Sequence, residues 1–331
     1  MTLASDLDAV RPFSVPLAAT GPGERRAVVA IGNFDGVHRG HQAVLSQARR
    51  IADEAGAAAL ALTFEPHPRT LFRPDQPVFR LTPPAAKARV LSALGLDGMI
   101  VAGFDRAFSE RTADGFVDDV LIAGLGVRHV VIGYDFHFGK ARSGTPAFLA
   151  DAGARHGFGV TVVSPWKDET GGAVSATRVR DALSHGDVPA ANALLGWRWQ
   201  VDGEVRHGDK RGRLLGYPTA NLRLPEDCAA AHGIYAVRVR IGGTLHDGVA
   251  SYGRRPTFDD GAPLFEVNLF DFSGDLYGKT LVVTLVERLR GEEKFSSAEA
   301  LIAQMDRDAA KARAVLAAMT PLSDLDAVLS F

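Results

Sequence analysis

The chain has 331 residues, of which 46% are hydrophobic and 23% charged, and it carries a formal net charge of −2 at pH 7. This length allows two domains of ordinary size, and the composition excludes a disordered or fibrous protein. The near-neutral net charge does not indicate binding to DNA or RNA, so the expected partners are small molecules.

The N-terminus and the cysteine content bear on location. The first 13 residues lack the basic-then-apolar pattern of a secretion signal, and no apolar run approaches the ~20 residues that a membrane-spanning helix needs. Cys228 is the single cysteine, which excludes an intrachain disulfide and a cysteine-based metal cluster. The sequence predicts a cytoplasmic protein without membrane contact and leaves a homo-oligomer open.

The first candidate site is the stretch from Gly32 to His41, GNFDGVHRGH. A short apolar run, Ala27 to Ile31, predicts a buried strand before it, and apolar residues at helical spacing predict a helix after it. His38 and His41 are three apart, on one face of the first helical turn, where unpaired N–H groups and the helix dipole favour an anion. The pattern predicts a phosphate-binding turn with two imidazoles, although HxxH alone also fits a helix cap beside a surface histidine.

The longer string GNFDGVHRGHQ resembles the signature of the HxGH nucleotidyltransferases, in the branch found in bacterial bifunctional riboflavin kinase/FMN adenylyltransferases, or FAD synthetases. The resemblance implies transfer of a nucleotidyl group from ATP to the phosphate of FMN. It implies catalytic roles for His38 and His41. It further implies that ATP or phosphate is bound by Gly32, Asn33, Phe34, Asp35 and Gly36.

Strands and helices alternate through the rest of this first part. Further strands are predicted at 57–64, 98–102, 127–132 and 160–163, with helices at 82–95 and 116–125. The candidate motifs follow strands, as in an α/β fold with a doubly wound, Rossmann-like parallel sheet. One of these loops is the proline-rich Glu65 to Pro68, which fits either a ligand-binding loop or a stiff strand end.

Two later segments resemble further motifs of the same family. The loop from Gly133 to Gly144 resembles GxDFxFGxxRxG, which implies that Asp135 is its acidic, nucleotide-binding residue. The segment Val174 to Arg180 resembles S-S-T-x-x-R, with Ala176 in place of the second serine. This resemblance implies phosphate binding by Ser175 and Thr177 and a catalytic Arg178.

The pattern changes between Ser184 and Trp197, where a turn and a short apolar helix precede an all-β region. The predicted domains are residues 1–185 and 197–331, with a linker at 186–196. Strands predicted at 199–205, 234–241, 244–251, 265–270 and 280–289 indicate an antiparallel barrel. A helix with an apolar stripe between Leu301 and Leu316 follows and is expected to pack on the barrel.

The barrel region carries its own motif, GDKRGRLLGYPTANL, from Gly208 to Leu222. Lysine, arginines and glycines in one loop suit a polyphosphate, and a threonine hydroxyl can bind Mg²⁺. The string resembles the riboflavin kinase signature built around PTAN. The resemblance implies phosphate binding by Gly208, Lys210 and Arg213, flavin binding by Gly216, Tyr217, Pro218 and Asn221, and Mg²⁺ binding with ATP by Thr219 and Asn221.

The segment Phe265 to Asp271 also resembles the kinases, and it implies that Glu266 is the base that deprotonates the ribityl hydroxyl. A carboxylate aimed inward from a barrel strand needs a partner or a catalytic role; an outward-facing Glu266 is the alternative. Ser251 and Asn268 depart from the family pattern.

These patterns together predict an enzyme that phosphorylates riboflavin to FMN in the barrel and adenylylates FMN to FAD, releasing pyrophosphate, in the Rossmann-like domain. One alternative is a nucleotidyltransferase for another phosphate acceptor. The other is a flavin-binding or flavin-sensing protein that has lost one or both activities.

Overall fold

The computed structural model describes residues 26–206, 217–225, 227–254 and 263–331. Four of the predicted site residues, Gly208, Lys210, Arg213 and Gly216, lie outside the described residues. The chain divides into two compact units, 1–176 and 177–331. The domain limits expected at residues 185 and 197 stay predictions.

The first unit is built on a five-stranded parallel sheet with the strand order β3-β2-β1-β4-β5. Its strands are β1 Val28–Ile31, β2 Ala59–Glu65, β3 Gly98–Gly103, β4 His129–Gly133 and β5 Gly159–Val163. All four residues of the central strand β1 are buried, as expected for a strand covered on both faces. The predicted parallel α/β architecture is confirmed.

Helices join these strands. They are α1 Arg39–Ala55, α2 Pro68–Phe72, α3 Pro84–Ala93, α4 Arg106–Ser109, α5 Ala113–Gly115, a π-helix at Phe116–Gly124 and α6 Pro146–His156. The segment predicted as an ordinary helix at 116–125 is therefore wound with π-type hydrogen bonds. Helix α6 was not predicted, although the Thr145 side chain caps it directly before a proline, which is a recognisable start signal.

The second unit contains a closed antiparallel barrel with the strand order β10-β7-β6-β11-β8-β9. Its strands are β6 Gln200–Arg206, β7 Ala220–Arg223, β8 Gly233–Ile241, β9 Thr244–Arg254, β10 Pro263–Leu269 and β11 Thr280–Arg290. The predicted barrel is confirmed. Strand β7 is a correction, because the PTAN segment continues into a barrel strand where the sequence suggested only a loop.

Four helices belong with the barrel: α7 Ala176–His185, whose first residue precedes the division, α8 Val188–Leu195, α9 Ala298–Ala317 and α10 Asp324–Ser330. Helix α9 packs on the barrel through Ala312 and Leu316, which contact a cluster that includes Phe270 and Val286. This confirms the predicted C-terminal helix, whereas α10 was not predicted.

Helices α8 and α10 are both bonded to the barrel through buried polar side chains. Asn192 of α8 donates to the Leu285 carbonyl at 3.1 Å and accepts from the Trp199 N–H at 2.9 Å. Asp326 of α10 is fully buried and accepts from both the backbone N–H and the guanidinium of Arg198. The buried Asp326 carboxylate therefore links helix α10 to Arg198, which lies two residues before β6 begins.

Replacing Asp326 with alanine is expected to lower the free energy of unfolding of the second unit by about 3 kcal/mol, because the buried Arg198 loses its counterion. Urea unfolding followed by the fluorescence of the buried Trp197 and Trp199 measures this change. The control is Asp324→Ala, which removes an exposed carboxylate from the same helix and should cost less than about 1 kcal/mol. Equal losses in the two variants would contradict this account of α10.

Candidate active sites

The turn between β1 and α1 carries the predicted histidines. His38 is the N-cap of α1, and its Nδ1 accepts a hydrogen bond from the His41 N–H at 3.4 Å. The two imidazole rings stack, with centroids 3.7 Å apart and planes 18° from parallel. Gly40 permits this arrangement, because a Cβ at that position would lie 3.2 Å from the His38 ring. The structure therefore brings both histidines together at the positive end of α1.

The environment of His41 disfavours its charged form. Burial lowers the pKa of His41 well below its usual value, and the neighbouring charges of His38 and Lys87 lower it further. The Nδ1 atom of His41 is buried and has no hydrogen-bond partner among the described residues. At neutral pH His41 is therefore a neutral imidazole that can contribute one N–H donor to an anion.

The Gly32–Gly36 turn has an unusual backbone. Phe34 and Val37 have φ values of +47° and +39°, a region that costs non-glycine residues about 1 to 3 kcal/mol each. Both side chains are buried, and the Phe34 ring meets the His41 ring edge-on at 5.4 Å between centroids. Such a backbone persists only where surrounding contacts fix it.

Polar residues from the segment between β2 and α3 supply those contacts. The carboxylate of Asp35 is buried and accepts from the backbone N–H groups of Leu81 and Thr82 at 3.3 and 3.0 Å. The Thr82 hydroxyl accepts from the Gly36 N–H at 2.8 Å. The Asp35 side chain therefore stabilises the turn. The predicted contact of Asp35 with ATP would then use its backbone groups.

A buried lysine that the sequence analysis missed lies under the same turn. Lys87 of α3 donates to the Asn33 carbonyl at 2.8 Å and to the Thr63 hydroxyl at 3.1 Å. Its ammonium group also lies 3.6 Å from Glu65, which Arg80 binds through both carboxylate oxygens. A single lysine in an apolar helix does not predict such contacts, because its partners come from β2 and from the turn after β1.

The loop after β4 begins beside the histidine turn, since β1 and β4 are parallel neighbours whose carboxyl ends meet at one edge. Asp135 is exposed in this loop, and Lys140 pairs with Glu110 at 2.6 Å. An exposed carboxylate at this edge is accessible to a ligand.

The last predicted motif of the adenylyltransferase site crosses the division between the units, with Ser175 in the first and Thr177 and Arg178 in the second. Counted from Thr177, the arginine of S-S-T-x-x-R falls on Arg180, so the sequence analysis named Arg178 against the motif's own spacing. The two arginines are two residues apart on α7, which places them about 200° apart around the helix. They therefore cannot both face one site.

A cavity of about 550 Å³ in the second unit is lined by three of the predicted kinase residues, Pro218, Thr219 and Asn221. The polar part of the lining comes from Thr219 and Asn221 of the PTAN segment and from Ser273 and Asp275 of the loop after β10. The apolar part of the lining consists of side chains that include Val205, Val267, Leu269, Phe272 and Leu276. The Oδ1 atom of Asn221 is buried with no hydrogen-bond partner among the residues that the structure describes. A buried acceptor left unsatisfied beside a cavity points to a bound group.

Glu266 lies directly opposite Asn221 on β7 and Ser251 on β9 in the barrel register, so the three side chains share one face of the sheet. The opposite face carries the buried Phe265, whose ring packs against that of Tyr252. Glu266 is half-buried on the face that it shares with the PTAN asparagine, and its role as the base stays a prediction.

Two further contacts fix the PTAN segment. Asn268 donates to the Pro218 carbonyl at 2.8 Å, so this departure from the family pattern has a structural role. Tyr217 donates its hydroxyl to Asp306 of α9, and burial together with that carboxylate raises the pKa of Tyr217 to about 12. The tyrosine hydroxyl is thereby directed to α9, which leaves only its ring for contact with a flavin.

Within the described residues, no group of three or more histidine, cysteine, aspartate or glutamate side chains could hold a metal ion. The helices among them include none with the length and apolar character needed to cross a membrane.

Comparison with known proteins assigns a class to each half of this architecture. Residues 22–178 match the family model for FAD synthetase, and residues 195–316 match that for riboflavin kinase. The two matches follow one another in the order that the sequence motifs predict. The protein thus combines a nucleotidyltransferase-type α/β domain with a riboflavin-kinase-type barrel.

Full-length relatives carry the same combination. The chain is 43% identical over 298 residues to the bifunctional riboflavin kinase/FMN adenylyltransferase of Pseudomonas fluorescens, covering 89% of this chain and 95% of the relative. It is 42% identical to that of Listeria monocytogenes and 39% identical to that of Escherichia coli, covering 88% and 86% of this chain and 92% and 91% of those relatives. The chain belongs to the family of bifunctional riboflavin kinase/FMN adenylyltransferases.

A crystal structure described as a macrolide-efflux protein from Streptococcus pneumoniae has the same fold. It is 33% identical, with a TM-score of 0.80 over 91% of this chain and 96% of that one.

The lowered pKa of His41 predicts a pH dependence of stability. Because the unfolded histidine titrates near pH 6.5 and the folded one lower, the unfolded chain takes up a proton first, and stability is lost as the pH falls below about 6.5. The stability of the first unit should lose up to about 1.4 kcal/mol per pH unit from this group.

Urea unfolding followed through the NMR amide signals of β1, between pH 5 and 7.5, measures this slope. The matched control is His41→Asn, which removes the titrating ring. The wild type should lose more stability than the variant as the pH falls, and parallel pH profiles would contradict the assignment.

Proposed function

We propose that this chain makes FAD in two ATP-dependent steps: riboflavin to FMN at the barrel, and FMN to FAD with release of pyrophosphate at the parallel sheet. The observation that carries the proposal is the pairing of two motif sets, each on the matching fold, in a chain about 40% identical to relatives named for both activities.

At the parallel sheet, a phosphate oxygen of FMN attacks the α-phosphorus of ATP and pyrophosphate leaves. Such a reaction needs no covalent enzyme intermediate, since positioning and charge stabilisation supply most of the catalysis. His38 and His41 stand at the positive end of α1, which supports their role as donors to the crowded phosphate oxygens. Gly32 to Gly36 contribute backbone groups at the same turn. The proposed nucleotide contacts are Asp135, Ser175 and Thr177, of which Asp135 and Thr177 are exposed and Ser175 is half-buried.

At the barrel, the ribityl hydroxyl of riboflavin attacks the γ-phosphorus of ATP and ADP leaves. Glu266 is the proposed base for the hydroxyl proton, and its position across the strands from Asn221 supports this role. Tyr217 and Pro218 are proposed to contact the flavin. Gly208, Lys210, Arg213 and Gly216 keep their predicted phosphate and flavin roles as proposals, since they lie outside the described residues.

The residues around Asn221 fit a magnesium ion. Its buried Oδ1 lacks a partner among the described residues, and Thr219 adds a hydroxyl oxygen to the same cavity. Mg²⁺ prefers oxygen ligands and is usually bound through one or two protein groups together with substrate phosphates. Thr219 and Asn221 would hold the ion with ATP, where it would neutralise phosphate charge.

The proposed partners are ATP, riboflavin and FMN, with FAD as the product, and the proposed location is the cytoplasm.

The alternative of a flavin-binding protein without turnover rests on Ala176, which lacks one hydroxyl of the phosphate motif. Against it, the paired His38 and His41 and the Glu266–Asn221 row retain the groups that the two reactions need. A nucleotidyltransferase for another acceptor would leave the kinase-type barrel unexplained.

Glu266→Gln should reduce FMN formation from riboflavin by at least about 100-fold, because the proton acceptor is lost. FAD formation from added FMN should stay unchanged in this variant. Chromatography of the flavins gives both rates, and Glu204→Gln, which alters an exposed glutamate of β6, is the control. Unimpaired FMN formation by the Glu266→Gln protein would remove it as the base.

His38→Ala should give the reverse result. We expect FAD formation from FMN to fall at least about 100-fold, through loss of a phosphate donor, while riboflavin phosphorylation continues. Full FAD synthesis by this variant would reject the proposed adenylyltransferase site.

The two arginines of α7 can be separated by matched alanine variants. Since Arg178 and Arg180 point in different directions, only one substitution should reduce FAD formation from FMN, by about 100-fold, and the motif count favours Arg180. Steady-state rates of both variants decide the assignment, with riboflavin phosphorylation as the internal control. Wild-type rates in both variants would exclude both arginines from catalysis, and equal losses would contradict the prediction that only one of them faces the site.

A further inference from the structure

We infer that Lys87 is a positioning residue for FMN adenylylation: its buried ammonium fixes the Asn33 carbonyl and so sets the backbone turn that presents His38 and His41. This inference rests on the proposed function of the histidine turn. Lys87 itself touches no reacting group.

The geometry of Lys87 is specific to this turn. Its side chain is 1% exposed, which is rare for a lysine, and it lies in α3, outside the histidine motif. It donates to the Asn33 carbonyl at 2.8 Å and to the Thr63 hydroxyl at 3.1 Å. The Thr63 hydroxyl in turn donates to the same Asn33 carbonyl at 3.0 Å. Two donors from different elements therefore converge on a single carbonyl of the turn.

The charge of Lys87 is balanced within the same network. Glu65 lies 3.6 Å away, Arg80 binds Glu65 through both oxygens, and the Nε of Arg80 lies 3.9 Å from Asp35. Burial raises the pKa of Glu65, but its bonds to Arg80 and the charge of Lys87 outweigh this effect and leave the pKa lowered. The four charged groups alternate in sign from Lys87 to Asp35, which is part of the turn and accepts from the backbone N–H groups of Leu81 and Thr82.

The turn needs such support because its backbone is unfavourable. Phe34 and Val37 both adopt positive φ, immediately after Asn33 and immediately before His38. Lys87 and Thr63 bind the turn before these two residues, and Thr82 binds Gly36 between them. Without the Lys87 bond, the Asn33 carbonyl would keep only the hydroxyl of Thr63, and the histidine pair could shift relative to the phosphates.

Lys87 also acts on His41 through its charge. The charges that face His41 are those of His38 and Lys87, and both add to the effect of burial in lowering the pKa of His41. Burial likewise lowers the pKa of Lys87, to about 8, against the opposing effect of Glu65. Lys87 is therefore charged at neutral pH and helps to keep His41 neutral, as a donor to the phosphates.

The test compares Lys87→Met with Arg50→Met, which removes an exposed cation from α1 of the same unit. Lys87→Met should lower kcat for FAD formation from FMN by about 100-fold, as expected for misplaced catalytic groups, with KM for ATP and FMN changed less than about threefold. Riboflavin phosphorylation by the same protein should be unchanged. Arg50→Met should retain both activities.

NMR titration of the histidines provides a readout that a merely structural role would not move. In the wild type His41 should titrate well below pH 6.5, and in Lys87→Met its pKa should rise while circular dichroism shows an intact fold. Unchanged kcat together with an unchanged pKa of His41 would overturn the inference.

If Lys87→Met does not fold, Thr63→Val keeps the lysine and removes the second donor to the Asn33 carbonyl. It should lower kcat for FAD formation by about tenfold, and wild-type activity in this variant would contradict the positioning role. His38→Ala separates this inference from the proposed function. Retained FAD formation in His38→Ala rejects the site itself, whereas its loss there with full activity in Lys87→Met rejects only the role of Lys87.

Discussion

The histidine turn of the first unit depends on bonds that reach it from α3 and the preceding loop. Lys87 binds its beginning through the Asn33 carbonyl, Thr82 binds the Gly36 N–H, and the Asp35 carboxylate binds the backbone of Leu81 and Thr82. These bonds stabilise two residues of positive φ, and the turn then lets His38 cap α1 with His41 stacked on it. The site thus combines a helix N-terminus, which favours anions, with a neutral imidazole donor.

In the second unit, the strands of the barrel position the proposed site residues. Its strand register places Glu266, Asn221 and Ser251 in one row, and the loop after β10 completes a cavity beside that row. The buried Asn221 oxygen has no hydrogen-bond partner among the described residues, and a bound cation would supply one. We propose that the two reactions use separate sites, so that substitutions can remove one activity and leave the other.

The sequence allowed most of the fold to be predicted, because buried strands such as β1 and the helical periodicity after His38 are local signals. The family motifs that predict His38, His41, Glu266 and the PTAN segment as site residues are likewise local, because each is a continuous stretch of sequence. The roles of Lys87 and Thr82 could not be predicted, since their partners lie on other elements and no local pattern marks them. The direction of Glu266 was also beyond the sequence, because strand alternation alone does not say which face of β10 is buried.

The most direct test of two reactions in one chain is to follow the label from ATP into the flavins. Purified protein is incubated with riboflavin, Mg²⁺ and ATP labelled either at the γ-phosphate or at the α-phosphate, and FMN, FAD and pyrophosphate are separated over time. We expect γ-label in FMN first and later in FAD, and α-label in FAD but never in FMN. Accumulation of γ-labelled FMN with no α-labelled FAD would contradict the assignment of the first unit, and the absence of any labelled flavin would contradict the account as a whole.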